Sequence, residues 1–165
     1  MQILRARAYG FCFGVRDALA VAMTHATPTQ TTIYGELVHN EQVLDRLSER
    51  GYASLPETDR SLPAGVTHVL VTAHGISDQT RSELTGRGLT LIDTTCPLVR
   101  RVHAAAQAFA RDGRRVVVIG QPGHVEVRGI VEDLESASVW LRPDDVRSTG
   151  ALRLGVVCQT TTRPD

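Results

Sequence analysis

THVLVTAHGISDQTRSELTGRGLTLID, from Thr67 to Asp93, is the stretch that decides the fold. Its opening, Thr67–Thr72, is a short Val/Leu run of the kind found in strands buried on both faces. Ser77 stands where a helix N-cap belongs, the helix runs to Arg87, and Gly88 follows its end. Leu89–Asp93 is then a second short strand. The same alternation extends in both directions. Downstream, Pro97 opens a helix over Leu98–Arg111, Arg115–Ile119 is a buried strand, and His124–Leu134 is helical. Ser138–Leu141 and Leu152–Val157 are strands, with a short helix over Pro143–Arg147 between them. Upstream, Gln2–Ala8 is strand-like, Val15–His25 helical and Thr31–Tyr34 a β-branched strand. Asn40–Arg50 is a helix with Val43, Leu44 and Leu47 at helical spacing and Gly51 as its stop. Pro56–Gly65 reads as a loop. Strand–helix alternation throughout predicts an α/β fold of mostly parallel sheets. A long helix starts near Cys96, so the expectation is two small, similar α/β domains, 1–95 and 96–165. The last strand runs into Cys158-Gln159-Thr160-Thr161-Thr162, a turn that normally caps another helix, and the sequence stops at Asp165. That pattern predicts a chain cut at the threshold of a further element.

The 165 residues hold 18 basic and 18 acidic side chains, and every basic one is Arg. Without Lys, Schiff-base chemistry and a Walker-type phosphate lysine are excluded. Zero net charge argues against a nucleic-acid partner, which needs a basic face, and 4% aromatic residues leave no base-stacking platform. No apolar run approaches the ~20 residues that cross a bilayer, and Met1–Tyr9 lacks an apolar core and cleavage site for export. The expectation is a cytoplasmic chain without a membrane segment. Three widely separated cysteines, Cys12, Cys96 and Cys158, fit neither a disulfide framework nor a C-x-x-C motif.

In open α/β sheets, ligands gather at the carboxyl ends of the strands. The informative residues all fall there: Cys12 in GFCFG, His39 in ELVHN, His74 in TAHG, Cys96 in DTTCP, His124 and Glu126 in GQPGHVE, and Thr160 after the last strand. Each has an ordinary alternative. A cysteine in a small α/β protein is commonly an inert buried hydrophobe. Cys12 departs from that because Gly10 and Gly14 allow close backbone approach, and Cys96 because it precedes Pro97 at a helix start, where N–H groups favour an anion. Cys158 ends an apolar strand and is expected to be buried packing. His25, His68 and His103 are assigned to structure or surface, His103 with solvent as its neighbour. His39, His74 and His124 sit beside Asn40, Gly75 and Gly123. Imidazoles and helix N-termini together suit a diphosphate without lysine. Glu126 alone is a first-turn carboxylate; beside a His and a Thr it becomes a candidate proton donor.

The segments GFCFGV (Gly10–Val15), ELVHN (Glu36–Asn40), TAHGIS (Thr72–Ser77), DTTCPLV (Asp93–Val99), GHVEVRG (Gly123–Gly129) and QTT (Gln159–Thr161) are ordered and spaced as in the LytB/IspH family, and on them the chain resembles 4-hydroxy-3-methylbut-2-enyl diphosphate reductases. The resemblance implies a trefoil of three similar α/β domains around an iron–sulfur cluster (4Fe–4S), with Cys12 and Cys96 as two of its three cysteine ligands. It implies that His39, His74 and His124 grip the substrate, and that Glu126 delivers protons with help from Thr160. The implied reaction is a two-electron reductive dehydroxylation giving isopentenyl and dimethylallyl diphosphate, the last step of the non-mevalonate isoprenoid pathway, with ferredoxin or flavodoxin as electron donor. The family's third domain has no counterpart in this sequence, and Cys158 is not its cysteine by register. Three alternatives stay open: a diphosphate-binding two-domain fragment without catalysis, one half of a split enzyme, and a zinc site built from Cys12, Cys96 and a His.

Overall fold

The computed structural model describes residues 3–4, 7, 9–38, 40–145 and 153–162. His39 lies outside these residues, as does most of the strand expected over Gln2–Ala8. Within that span Ile3 and Leu4 are described, belong to no strand, and stand 79% and 85% exposed.

The first helix, α1 (Phe13–Thr24), leads to β1 (Thr31–Tyr34), α2 (Glu41–Glu49) and a two-residue strand β2 (Ala53–Ser54). Next come β3 (His68–Val71), α3 (Asp78–Gly86) and β4 (Thr90–Asp93). These four strands form one parallel sheet in the order β2-β1-β3-β4, with Ile33 opposite Leu70 and Leu70 opposite Ile92. The second group is α4 (Pro97–Arg111), β5 (Arg115–Ile119), α5 (Val125–Val131), β6 (Ala137–Trp140) and β7 (Leu154–Cys158). Its strands make a parallel sheet ordered β6-β5-β7. The observed class is therefore the expected α/β one with parallel sheets.

Period-two burial explains why β3 is apolar throughout. Leu70 faces Ala18, Ala22 and Leu47 of α1 and α2, while Val69 and Val71 face Ile76 and Leu84 on the opposite side. In the second sheet Val116, Val118 and Val157 meet Ala106 of α4 and Val127 and Ile130 of α5. Helix starts follow local chemistry. The Asn40 side chain accepts from the Val43 N–H at 3.1 Å, and the Ser77 hydroxyl from the Thr80 N–H at 3.0 Å.

Four features differ from expectation. Cys158 is exposed rather than buried. β7 lies at the edge of its sheet, and its residues alternate, with Gly155 and Val157 buried while Val156 stands 51% exposed. An apolar strand is buried on both faces only where layers cover both. His103 is less open to solvent than expected: it is half-buried against Gly129 of α5, and its Nε2 is buried without a hydrogen-bond partner among the described residues. β2 was not expected at all, because both its residues are exposed and carry no apolar signal. The helix predicted over Pro143–Arg147 is a 3-10 turn over Pro143–Asp145, with the remainder outside the described residues.

Candidate functional site

Loops at the carboxyl ends of the two sheets converge. The TAHG loop after β3 and the DTTC loop after β4 are laced together: the Cys96 N–H donates to the Ala73 carbonyl at 3.0 Å, and the Thr94 hydroxyl to the Val71 carbonyl at 2.6 Å. This fixes His74 beside the start of α4. From the second sheet, the loop after β5 brings His124 to meet it. The two imidazoles lie edge to face with centroids 5.7 Å apart.

His124 is the N-cap of α5. Its Nδ1 accepts from the Glu126 N–H at 3.2 Å, so in the neutral ring the proton resides on Nε2, which is left as a donor. Glu126, in the first turn of α5, is 1% exposed. A buried carboxylate without partners would cost several kcal/mol, and this one has two. Its Oε1 accepts from the Thr160 N–H at 2.7 Å and its Oε2 from the Thr160 hydroxyl at 2.9 Å. The turn bearing Thr160 is held in its own right. Buried Gln159 accepts from the Gln121 N–H at 2.9 Å and donates to the Thr161 hydroxyl at 2.8 Å, tying the end of β7 to the loop that presents His124.

Cys12 and Cys96 occupy equivalent places, the N-caps of α1 and α4, and neither side chain makes a capping bond. Gly14 brings their loops together. A Cβ built on it would stand 2.7 Å from Cys96 Sγ, closer than real contacts allow, so only glycine permits this approach two residues after Cys12. Cys12 is exposed and Cys96 half-buried. Two thiols at helix N-termini without capping bonds are of the donor type that an iron–sulfur cluster takes. Among the described residues, which do not include His39, no group of three or more His, Cys, Asp or Glu side chains is gathered to hold a metal ion.

Sequence reasoning placed His74, Cys96, His124, Glu126, Thr160 and Cys12 at loop tips, and the structure brings His74 to His124 and Glu126 to Thr160. It passed over residues that hold those tips. Asp93 accepts from the Thr95 N–H and hydroxyl at 2.9 and 2.6 Å and pairs with Arg81 and Arg100 at 2.6 and 3.0 Å. Burial alone would raise its carboxyl; those bonds and the two guanidiniums outweigh burial and hold it below its ordinary value. Glu57, Arg60 and Arg128 form a second ionic cluster. Asp93 sat inside the DTTCPLV motif and was legible as its first polar residue. Glu57 lay in a stretch read only as loop and had no signal.

Two parallel α/β sheets whose carboxyl-end loops set His74 against His124 and bond buried Glu126 to Thr160 define the class of fold and site. The chain belongs to the LytB family: the family model described as LytB protein matches residues 3–165. Among its relatives, the 4-hydroxy-3-methylbut-2-enyl diphosphate reductase of Pseudomonas fluorescens is 37% identical over 175 residues, covering 100% of this chain and 55% of the relative. That of Hahella chejuensis is 36% identical, with the same coverage. A solved structure of (E)-4-hydroxy-3-methyl-but-2-enyl diphosphate reductase, described as the terminal enzyme of the non-mevalonate pathway, superposes with a TM-score of 0.77 at 31% identity, over 94% of this chain and 57% of that one. The Plasmodium falciparum E-1-hydroxy-2-methyl-but-2-enyl-4-diphosphate reductase gives 0.81 at 29% identity, over 94% and 50%. The chain spans about half the length of the curated relatives it matches. No helix among the described residues is long and apolar enough to cross a membrane.

Proposed function

We propose that this chain carries the diphosphate-gripping and proton-delivering part of a 4-hydroxy-3-methylbut-2-enyl diphosphate reductase, with residues 1–95 and 96–165 as its two α/β units. The observation that carries the reading is the meeting of His74 and His124 from different sheets beside the Glu126–Thr160 pair. Their ring N–H groups, with His39, would bind the diphosphate and orient the carbon chain. Reductive dehydroxylation consumes two electrons and two protons: one proton leaves with the hydroxyl as water, and the other ends on carbon. Glu126 would hold the proton for the departing hydroxyl and the Thr160 hydroxyl would pass it on. An iron–sulfur cluster on Cys12 and Cys96, with a thiolate from outside the described motifs, would supply the electrons and a Lewis-acidic iron; ferredoxin or flavodoxin would reduce it. Burial keeps Glu126 out of bulk water.

A second reading, a module that binds the diphosphate without completing a cluster, is favoured by the finding that no group of three or more His, Cys, Asp or Glu side chains is gathered to hold a metal ion among the described residues. Turnover with a reduced donor after anaerobic reconstitution separates the two. The first predicts that Glu126→Gln loses about 100-fold or more in kcat while the substrate is still bound, because the amide keeps an acceptor for the Thr160 N–H. Binding without any turnover in the parent protein leaves the second, and unaltered turnover in Glu126→Gln removes Glu126 from the acid role.

A further inference from the structure

The geometry points to Glu57 as a positioning residue: a single carboxylate that ties the loop after β1 to α5 and so holds the two sheets, and with them His74 and His124, in register across the cleft. Three contacts carry this. Glu57 Oε1 accepts from the Glu36 N–H at 3.1 Å, at the root of the ELVHN segment. Its Oε2 pairs with Arg60 on its own loop and with Arg128 of α5, whose Nη2 lies 3.3 Å away. Arg128 Nη1 also donates to the Glu57 backbone carbonyl at 3.2 Å, so the guanidinium clasps both the side chain and the main chain of one residue. Arg128 is two positions beyond Glu126 in the same helix.

The cradle is shaped for this carboxylate. Gly35 has φ +105°, and a Cβ there would fall 2.3 Å from Glu57 Oε1, so a side chain at position 35 would evict it. Arg60, whose guanidinium carbon also sits 4.9 Å over the Tyr34 ring, steadies the opposite oxygen. The Glu57 carboxyl is held below its ordinary value: burial pushes it up, and Arg60, the Glu36 N–H and the His74 imidazole outweigh that push. An isolated, partly exposed ion pair stabilises little, but here one anion joins two cations and a backbone donor from three segments. Its consequence is alignment rather than stability.

The role in catalysis rests on the reading proposed above; the alignment itself does not, and the two are tested separately. In the 165-residue chain, nitrogen-15 ring spectra of His74 and His124 report the alignment directly. Arg128→Gln is expected to shift the ring signals of both histidines, Glu57→Gln to shift them in the same way, and the double variant to add nothing beyond either single change. Arg128→Lys, which keeps the charge but offers one nitrogen where the guanidinium uses two, should return them only part of the way to the parent positions. Parent-like ring signals in both single variants, or additive shifts in the double variant, would overturn the proposal. In turnover, Arg128→Gln should lower kcat/KM about tenfold, since misplacement by a fraction of an ångström is costly in a preorganised site, with Arg128→Lys restoring part of it. Shifted rings with undiminished kcat/KM in an active parent would overturn the positioning role. Shifted rings in a parent without turnover would support the alignment while removing the reductase reading.

Discussion

Gly14 is where the loop bearing Cys12 meets the loop bearing Cys96. Its missing side chain lets Cys96 Sγ lie against the first turn of α1. An alanine there would favour the helix by up to about 1 kcal/mol, so helix propensity predicts no loss of fold. The contact predicts something else: Cys96 must move away from the first turn of α1, and with it from the loop that bears Cys12. Gly14→Ala should therefore keep the parent circular dichroism yet retain less than half of the parent's iron after anaerobic reconstitution. Equal iron would show that the two thiols do not serve one group. Glycines flanking Cys12 are visible in the sequence as freedom of approach; what they approach is not, because Cys96 lies more than eighty residues away in the chain.

Helices α3 and α5 belong to different sheets, yet one finishes the other. The Asp133 carboxylate, just past α5, accepts from the Asp78 and Gln79 N–H groups at 2.8 and 3.1 Å, satisfying the first turn of α3 that Ser77 leaves open. Gln107 of α4 donates to Asp78 at 2.8 Å and closes the seam. Asp133→Ala should cost about 1 kcal/mol, the usual worth of a cap, lowering Tm by roughly 2–4 °C for a chain of this size as read by scanning calorimetry. An unchanged Tm would mean that water replaces the carboxylate at no cost. Most helices were legible, since caps such as Asn40 and Ser77 act over three residues. The burial of His103 was not, because it depends on Gly129 of α5 coming to rest against α4, and helical periodicity records only which face of one helix is apolar.

At the scale of the molecule, acid is the condition that tests the ionic seams. Asp93 and Glu57 are both held below their ordinary values by hydrogen bonds and guanidiniums that outweigh burial. The unfolded chain binds their protons more readily, so the stability they contribute is complete above about pH 4.5 and is lost as pH falls through their lowered folded values. His103 behaves alike for another reason. Burial pushes its imidazole down, with Asp133 and Asp78 opposing and Arg81 assisting, so the fold prefers the neutral ring. Its contribution is present above the ordinary histidine value, about 6.5, and is lost as pH falls through the depressed one. Stability should decline in two stages. Urea midpoints at pH 7.5, 5.5 and 3.5 should show Asp93→Asn flattening the lower stage and His103→Asn the upper one. A decline that survives both changes would place the acid sensitivity elsewhere.

What the sequence by itself determined is local: which runs are strands, which side chains cap which helices, and which residues stand at strand ends, all set by periodicities of two and 3.6 and by contacts across a few residues. Six motifs in order were also enough to point to the family. Tertiary structure alone decided that His74 and His124 face each other, that Glu126 is buried and bonded to Thr160, that Glu57 bridges the sheets, and that Cys158 lies on an uncovered edge. Those facts depend on how separately formed layers pack, and packing brings together residues whose separation along the chain carries no trace of their meeting.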